Sequence, residues 1–322
     1  MNILIIDAQN DFHEGGNLGV KGAKTDSKRI GAFLKKNKND INTIFISLDT
    51  HTKNHIGFPG FWEIIDNDQS RIDEYTTFYI DHDIILGKYQ NKIRQFEPKN
   101  KKLLKWTKEY IKELPSYGKG NSLIWPYHCI EKTYGHKLYE PLKTIIDAYD
   151  KSNVEYHIKG QNEATEMYSI FKAEIPTVNV TKLNISKFYS KINIKNKDKI
   201  NISNGSLIEN PEKLKEVYLN TQFNNKLYKS LTKDGLTILI CGQALSHCVN
   251  WSLRDLVNKL IEDKNKFYVK SKILLNDKVI LLVNASSAIK GFEKNVNELF
   301  QFCKKKNVAL KYLYKGLIVD KL

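Results

Sequence analysis

Six short runs of apolar and β-branched residues punctuate the chain: Ile3–Ile6, Thr43–Ser47, Val154–Ile158, Leu236–Cys241, Val279–Val283 and Val308–Leu313. Runs of this length without polar alternation are what strands covered on both faces require. Between them the apolar positions recur with helical period. Ser27–Lys36 sets Ile30, Phe33 and Leu34 on one face, and Leu138–Tyr149 does the same with Leu142, Ile145, Ile146 and Tyr149. Val249–Ile261 carries Trp251, Leu253, Leu256, Val257 and Leu260, and Asn295–Lys304 carries Leu299 and Phe302. Strands alternating with amphipathic helices predict an α/β fold, a three-layer αβα arrangement around a mostly parallel six-stranded sheet.

Two stretches break this rhythm. Residues 63–120 are charged and tyrosine-rich, with a helix predicted at Lys101–Glu113, and 178–232 are rich in lysine and asparagine. Both read as insertions on one domain spanning 1–322, and no internal repeat is visible.

A chain of 322 residues, 41% hydrophobic, is long enough to bury a large core. No apolar run approaches the roughly 20 residues that a membrane span requires. Met1 leads straight into Ile3–Ile6 with no basic segment before it, unlike a secretory leader, so a cytoplasmic protein is expected. The four cysteines, Cys129, Cys241, Cys248 and Cys303, form no CxxC pair, which fits a reducing compartment and leaves each open as a buried apolar residue or a nucleophile. The net charge of +15 comes from lysines scattered among asparagines, with no basic face or motif. Specific nucleic-acid binding is therefore not expected; the excess would give salt-dependent adhesion at most.

Polar residues cluster just after the predicted strands, where groups in a parallel α/β sheet face the ligand crevice. Asp7 follows Ile3–Ile6 and reads as a turn cap or an acid–base group. Asp49-Thr50-His51, with His55 four residues on, offers a carboxylate and two imidazoles, and His128 in Trp125-Pro126-Tyr127-His128-Cys129 offers a third. Such a donor set suits a divalent zinc, iron or manganese ion, although surface histidines also cluster by chance. Lys159 ends another strand, as a surface charge or as a cation that lowers a thiol pKa. Cys248 follows the turn Gly242-Gln243-Ala244-Leu245-Ser246-His247 and opens a helix, where the dipole favours thiolate and free N–H groups suit an oxyanion. The neighbouring His247 points about 100° away on a helix and reads as structural.

In order along the chain, these segments resemble the isochorismatase-like cysteine hydrolases, and within them the nicotinamidase group. The resemblance rests on Asp7-x-Gln9-Asn10-Asp11-Phe12 with Gly15-Gly16-Asn17-Leu18, on Asp49-x-His51-x-x-x-His55, and on Trp125-Pro126-x-His128-Cys129. Lys159-Gly160 with Tyr168-Ser169-x-Phe171 and the turn from Gly242 to Cys248 complete it, so that it covers about 1–60, 121–175 and 233–315. It implies that Cys248 attacks a carboxamide carbon, that Asp7 shuttles the proton and that Lys159 steadies the thiolate and Asp7. The N–H groups of Ala244 and Cys248 would form the oxyanion hole, with a cis Gln243–Ala244 peptide. Asp49, His51, His55 and His128 would hold the metal, which accepts a ring nitrogen of the substrate, and Phe12 and Trp125 would line the pocket.

The implied activity is nicotinamide hydrolysis to nicotinate and ammonia. Leu245-Ser246 before the His-Cys pair, Tyr134-Gly135-His136, and the long stretch between His55 and Trp125 depart from compact nicotinamidases. A second reading therefore keeps the cysteine machinery but assigns another small amide or carbamoyl substrate. A third is a non-catalytic binding protein on the same fold. The expected partner is a small-molecule amide, with no membrane partner, and a homo-oligomer is left open.

Overall fold

A computed structural model describes residues 1–66, 71–74, 76–80, 86–117, 122–175, 221–266 and 275–321. The predicted insertion at 178–232 lies outside the described residues as far as 220.

All six predicted strands form, as β1 (Asn2–Ile6), β2 (Thr43–Asp49), β8 (Val154–Lys159), β9 (Ile238–Gly242), β10 (Val279–Leu282) and β11 (Ala309–Tyr314). They are parallel, in the order β11-β10-β9-β1-β2-β8, with a seventh, antiparallel strand β12 (Leu317–Val319) hairpinned onto β11. Every residue of β1 and β9 is buried, because helices cover both faces of the sheet.

Helix α1 (Ala23–Lys36) buries Ile30, Phe33 and Leu34 against Leu142 and Ile146 of α3 (Glu140–Ile146) and against Ile3, Ile5 and Ile44 of the sheet. On the opposite face, α5 (Cys248–Lys266) packs Leu253, Leu256 and Val257 against Leu4, Ile6 and Ile240. There α4 (Asn225–Thr232) adds Leu227 and Leu231, and α7 (Glu293–Lys306) adds Leu299 and Cys303. Each such aliphatic side chain contributes on the order of 1.5–3 kcal/mol by leaving water. A short helix α6 (Leu275–Lys278) leads into β10.

The stretch at 63–120 builds a second sheet. Strands β3 (Trp62–Ile64), β4 (Phe78–Ile80), β5 (Leu86–Tyr89), β6 (Lys92–Pro98) and β7 (Ser122–Ile124) pair antiparallel in the order β3-β6-β5-β4-β7. Its core stacks Phe78 on Phe96 with ring centroids 5.1 Å apart, and α2 (Leu104–Glu113) supplies Tyr110 and Ile111. This sheet flanks the polar segments: β3 begins seven residues after His55, and β7 runs into Trp125 and His128.

The order β9-β1-β2 places a reversal of connection between β1 and β9, since the chain first adds strands on one side of β1 and then on the other. At such a switch point the loops leaving the carboxyl ends diverge and open a crevice. Asp7 follows β1 and Cys248 follows β9, so both stand at this crevice.

Candidate active site and metal cluster

Register puts the polar groups within reach of one another. Ile6 pairs with Gly242, and Asp49 pairs with Lys159 at the carboxyl ends of β2 and β8. Asp7 turns the chain out of β1 in the left-handed region, φ 43°, where aspartate is one of the few side chains commonly found. Gly160 has φ 78°, and a Cβ there would fall 2.6 Å from His51 Cε1 and 2.8 Å from Asp49 Oδ1, so only glycine lets β8 end against these side chains.

Lys159 is the centre of the arrangement. It is 2% exposed, and its Nζ lies 2.8 Å from Asp49 Oδ1, 3.0 Å from Asp7 Oδ2, 3.0 Å from the Met167 carbonyl and 3.6 Å from Cys248 Sγ. Burial alone would lower its pKa, but the carboxylates of Asp49 and Asp7 hold it well above the ordinary range. Ser47 donates to Asp7 Oδ1 at 2.6 Å and accepts from the Asp7 N–H at 3.0 Å. That leaves Oδ2 facing the ammonium and the thiol side of the crevice. Burial raises the Asp7 pKa against the opposing pull of Lys159.

Cys248 sits at the first turn of α5 and is buried. The expected lowering of its pKa is not what the surroundings produce. Burial pushes the thiol well above its ordinary value, Lys159 opposes this, and Asp7 and Asp49 add to the push. These opposing pulls favour the thiol form, with the Asp7 carboxyl beside it as the group placed to accept its proton.

The Gln243–Ala244 peptide is cis, as the resemblance implied. Ala244 O accepts from the His247 and Val249 N–H groups, while the Ala244 and Cys248 N–H groups donate to nothing among the described residues. Two unused donors beside a thiol are what a developing oxyanion needs.

On the other side of Asp49 the imidazoles converge. Asp49 Oδ2 lies 2.9 Å from His51 Nε2 and 3.5 Å from His128 Nε2. His51 Nδ1 is 2.9 Å from the Gly160 carbonyl and His128 Nδ1 is 2.8 Å from the Pro126 carbonyl. Each Nδ1–H is thereby fixed as a donor, which presents both Nε2 atoms to the carboxylate, as metal-ligating histidines are held. Asp49, His51 and His128 each offer a ligand atom within 4.8 Å of the others. Burial alone would raise the Asp49 pKa, yet His51 and Lys159 hold its carboxyl well below the usual range.

His55 stands beside this group, its ring centroid 4.4 Å from that of His51. Its Nε2 lies 3.1 Å from the Thr165 carbonyl and its Nδ1 accepts from the Gly57 N–H, so its nitrogens are turned to the backbone. Three of the four expected ligands are thus brought together.

Phe12 packs on His128 with centroids 5.3 Å apart. Trp125 donates Nε1–H to the Tyr168 hydroxyl at 2.9 Å and meets the rings of His247 and Phe292. His247 makes the structural contacts expected of it, with Nδ1 2.9 Å from Ser246 Oγ and its ring against Tyr168 and Phe292. Beyond this aromatic group lies a cavity of about 610 Å³ lined by Tyr110, Ser122, Glu166, Tyr168, His247 and Arg254 among others. Tyr110 and Ser122 come from the second sheet and its helix.

Three contributors were not singled out from sequence. Ser47 looks like an ordinary strand residue, and Met167 acts through its carbonyl alone. Gln9 was seen only as part of a motif, yet its side chain accepts from the Asp49 N–H and donates to the Asp49 and His136 carbonyls.

No helix among the described residues is long and apolar enough to cross a membrane. No protein-family model and no curated protein matches the chain. Solved structures do. The yeast nicotinamidase aligns over 99% of this chain and 99% of its own with TM-score 0.53 and 15% identity. The same enzyme bound to the inhibitor nicotinaldehyde gives TM-score 0.53 at 15% identity, over 96% of this chain and 98% of that one. A nicotinamidase and pyrazinamidase of Acinetobacter baumanii gives TM-score 0.51 at 16% identity, over 96% and 94%. The chain therefore has the fold of the nicotinamidases.

Proposed function

We propose that this protein is a cysteine-dependent amidohydrolase that converts nicotinamide and water to nicotinate and ammonia. The observation that carries the reading is Lys159 Nζ lying 3.0 Å from Asp7 Oδ2 and 3.6 Å from Cys248 Sγ beside the Asp49, His51 and His128 group. Nucleophile, base and cation are thus within contact at one crevice, which is the arrangement activated cysteines require.

In this mechanism Asp7 Oδ2 takes the Cys248 proton as Sγ attacks the carboxamide carbon. The oxygen charge that develops is met by the N–H groups of Ala244 and Cys248. Asp7 then returns the proton to the leaving nitrogen, releasing ammonia and a thioester. Water, deprotonated by Asp7, cleaves the thioester and restores the thiol. Lys159 opposes the effect of burial on Asp7, favouring its carboxylate form, and stays protonated throughout. Asp49, His51 and His128 would hold a divalent metal ion, zinc before iron or manganese, with His55 re-aimed to complete the set. When bound, such an ion would take a ring nitrogen of the substrate and so orient its amide. Phe12 and Trp125 would face the ring.

A second reading keeps the same residues and changes the substrate to a larger amide or carbamoyl compound. The cavity of about 610 Å³ beside Tyr168 and His247 favours it, since it adjoins Trp125 through those two rings and, though lined by none of the reacting residues, offers room for a substituent beyond the amide. Ammonia release from nicotinamide by the purified protein, with metal content quantified and Cys248→Ala as control, separates the two. Release that vanishes in the variant supports the first reading. A folded, metal-loaded protein that releases none excludes nicotinamide and leaves the larger amides.

A further inference from the structure

Asp26 is a buried carboxylate with no place in the reaction described above. It lies in the first turn of α1, 3% exposed, and its Oδ2 accepts from Gln243 Nε2 at 3.0 Å. The other end of the Gln243 amide is held as well, since Oε1 accepts from the Ser287 N–H at 3.3 Å. The Gln243 N–H donates to the Ile6 carbonyl at 2.7 Å, and the Leu245 N–H donates to the Ser287 carbonyl at 2.8 Å. Ala244 therefore sits between two residues that are each pinned, with its own N–H undirected by any partner among the described residues.

We propose that Asp26 is a positioning residue for the oxyanion site, acting through the Gln243 side chain to aim the Ala244 N–H at the reacting carbonyl. The inference rests on the cysteine-hydrolase reading above. Gln243 is 1% exposed, so its Nε2 has no water to turn to if Asp26 is removed. The Ser287 hydroxyl also hydrogen-bonds Asp26, and Arg29 NH1 lies 3.6 Å from Asp26 Oδ1. These contacts fix the carboxylate itself; Gln243 is its direct link to the loop, and Ser287, which holds Gln243 Oε1 and the Leu245 N–H, braces the same loop from behind. A misaimed oxyanion donor weakens binding of the tetrahedral state and leaves binding of the planar amide nearly untouched.

The test compares wild type with Asp26→Ala and Asp26→Asn. Three quantities are measured: kcat and KM for nicotinamide, inhibition by pyridine-3-carbaldehyde, and binding of nicotinate. The aldehyde adds the thiol to give a tetrahedral adduct with an oxyanion, whereas nicotinate stays planar. Asp26→Ala is expected to lower kcat and aldehyde affinity by about 10- to 100-fold, with KM and nicotinate affinity within about twofold. Asp26→Asn keeps an acceptor for Gln243 Nε2 and is expected to recover most of the loss. Should Asp26→Ala not fold, Gln243→Met cuts the same link from the loop side and carries the same expected signature.

Equal losses of aldehyde and nicotinate affinity, an unchanged kcat, or an Asp26→Asn as impaired as Asp26→Ala would overturn the inference. An active wild type with such variants leaves the hydrolase reading intact. A wild type inert to both nicotinamide and the aldehyde removes the nicotinamide reading, and with it this inference as stated for that substrate.

Discussion

Lys159 and Asp49 share a hydrogen bond of 2.8 Å, and the other oxygen of Asp49 faces His51 at 2.9 Å. One carboxylate thereby links the ammonium beside the thiol to the imidazole pair. Asp49→Asn is expected to lower metal content and to reduce turnover by at least about 100-fold, and excess metal should not restore activity because Lys159 stays misplaced. His128→Ala, which disturbs only the imidazole side, should regain activity as metal is added. Equal rescue of both variants would separate the two halves of the site.

The ion pairs around Lys159 are deep enough to dominate local stability. Lys159→Met leaves Asp7 without its cation and Asp49 with the imidazoles of His51 and His128 alone, and is expected to destabilise the fold by about 3–5 kcal/mol. Asp7→Asn in the same chain removes one of the stranded charges, so the double variant should be more stable than Lys159→Met alone. Denaturant midpoints of the four proteins in this cycle measure the coupling, and strict additivity would deny it.

Burial pushes the pKa of the Cys248 thiol up against the pull of Lys159. In metal-free protein its alkylation by iodoacetamide should keep accelerating above pH 9, and Lys159→Met should shift the rise further up. A plateau reached by neutral pH would mean a resting thiolate instead.

Glu163, buried and hydrogen-bonded by the Thr52 hydroxyl, has its pKa pushed by burial from 4.5 to about 7. The folded chain thus holds a proton that the unfolded chain has released between these values. Stability from this group is complete below about pH 4.5 and is lost as pH rises toward 7, a change of about 3 kcal/mol. Glu163→Gln should remove that slope from the pH profile of the unfolding midpoint. An unchanged slope would assign it to other groups.

The parallel sheet was legible because burial on both faces writes itself as unbroken apolar runs such as Ile3–Ile6 and Ile238–Cys241. The second sheet was not. Its strands are three to seven residues long, and in Lys92-Ile93-Arg94-Gln95-Phe96-Glu97 charged and polar positions dilute the pattern. β12 escaped for the same reason, being three residues after the Gly316 turn. Within the site, Asp7, Asp49, His51 and Lys159 drew notice because each stands at the end of a predicted strand, and the resemblance in segment order added Cys248, His55 and His128. Spacing could not say that His55 turns its nitrogens toward Thr165 and Gly57, since side-chain direction depends on contacts from elsewhere. Ser47 and Asp26 carry no signal of their own: one is a small polar residue in a strand, the other an acid in a lysine-rich helix.

Gly242 pairs with Ile6 where β9 and β1 end, and a Cβ on it would fall 2.0 Å from the Ile6 carbonyl oxygen. The next residue after Ile6 is the proposed base, and the loop after Gly242 leads to the proposed nucleophile. A single methyl group at this seam would wedge the two halves of the reaction apart while altering no polar atom. On the proposed mechanism, an alanine here would yield a silent protein whose every reactive group is still present, the fault lying in the gap between two strands.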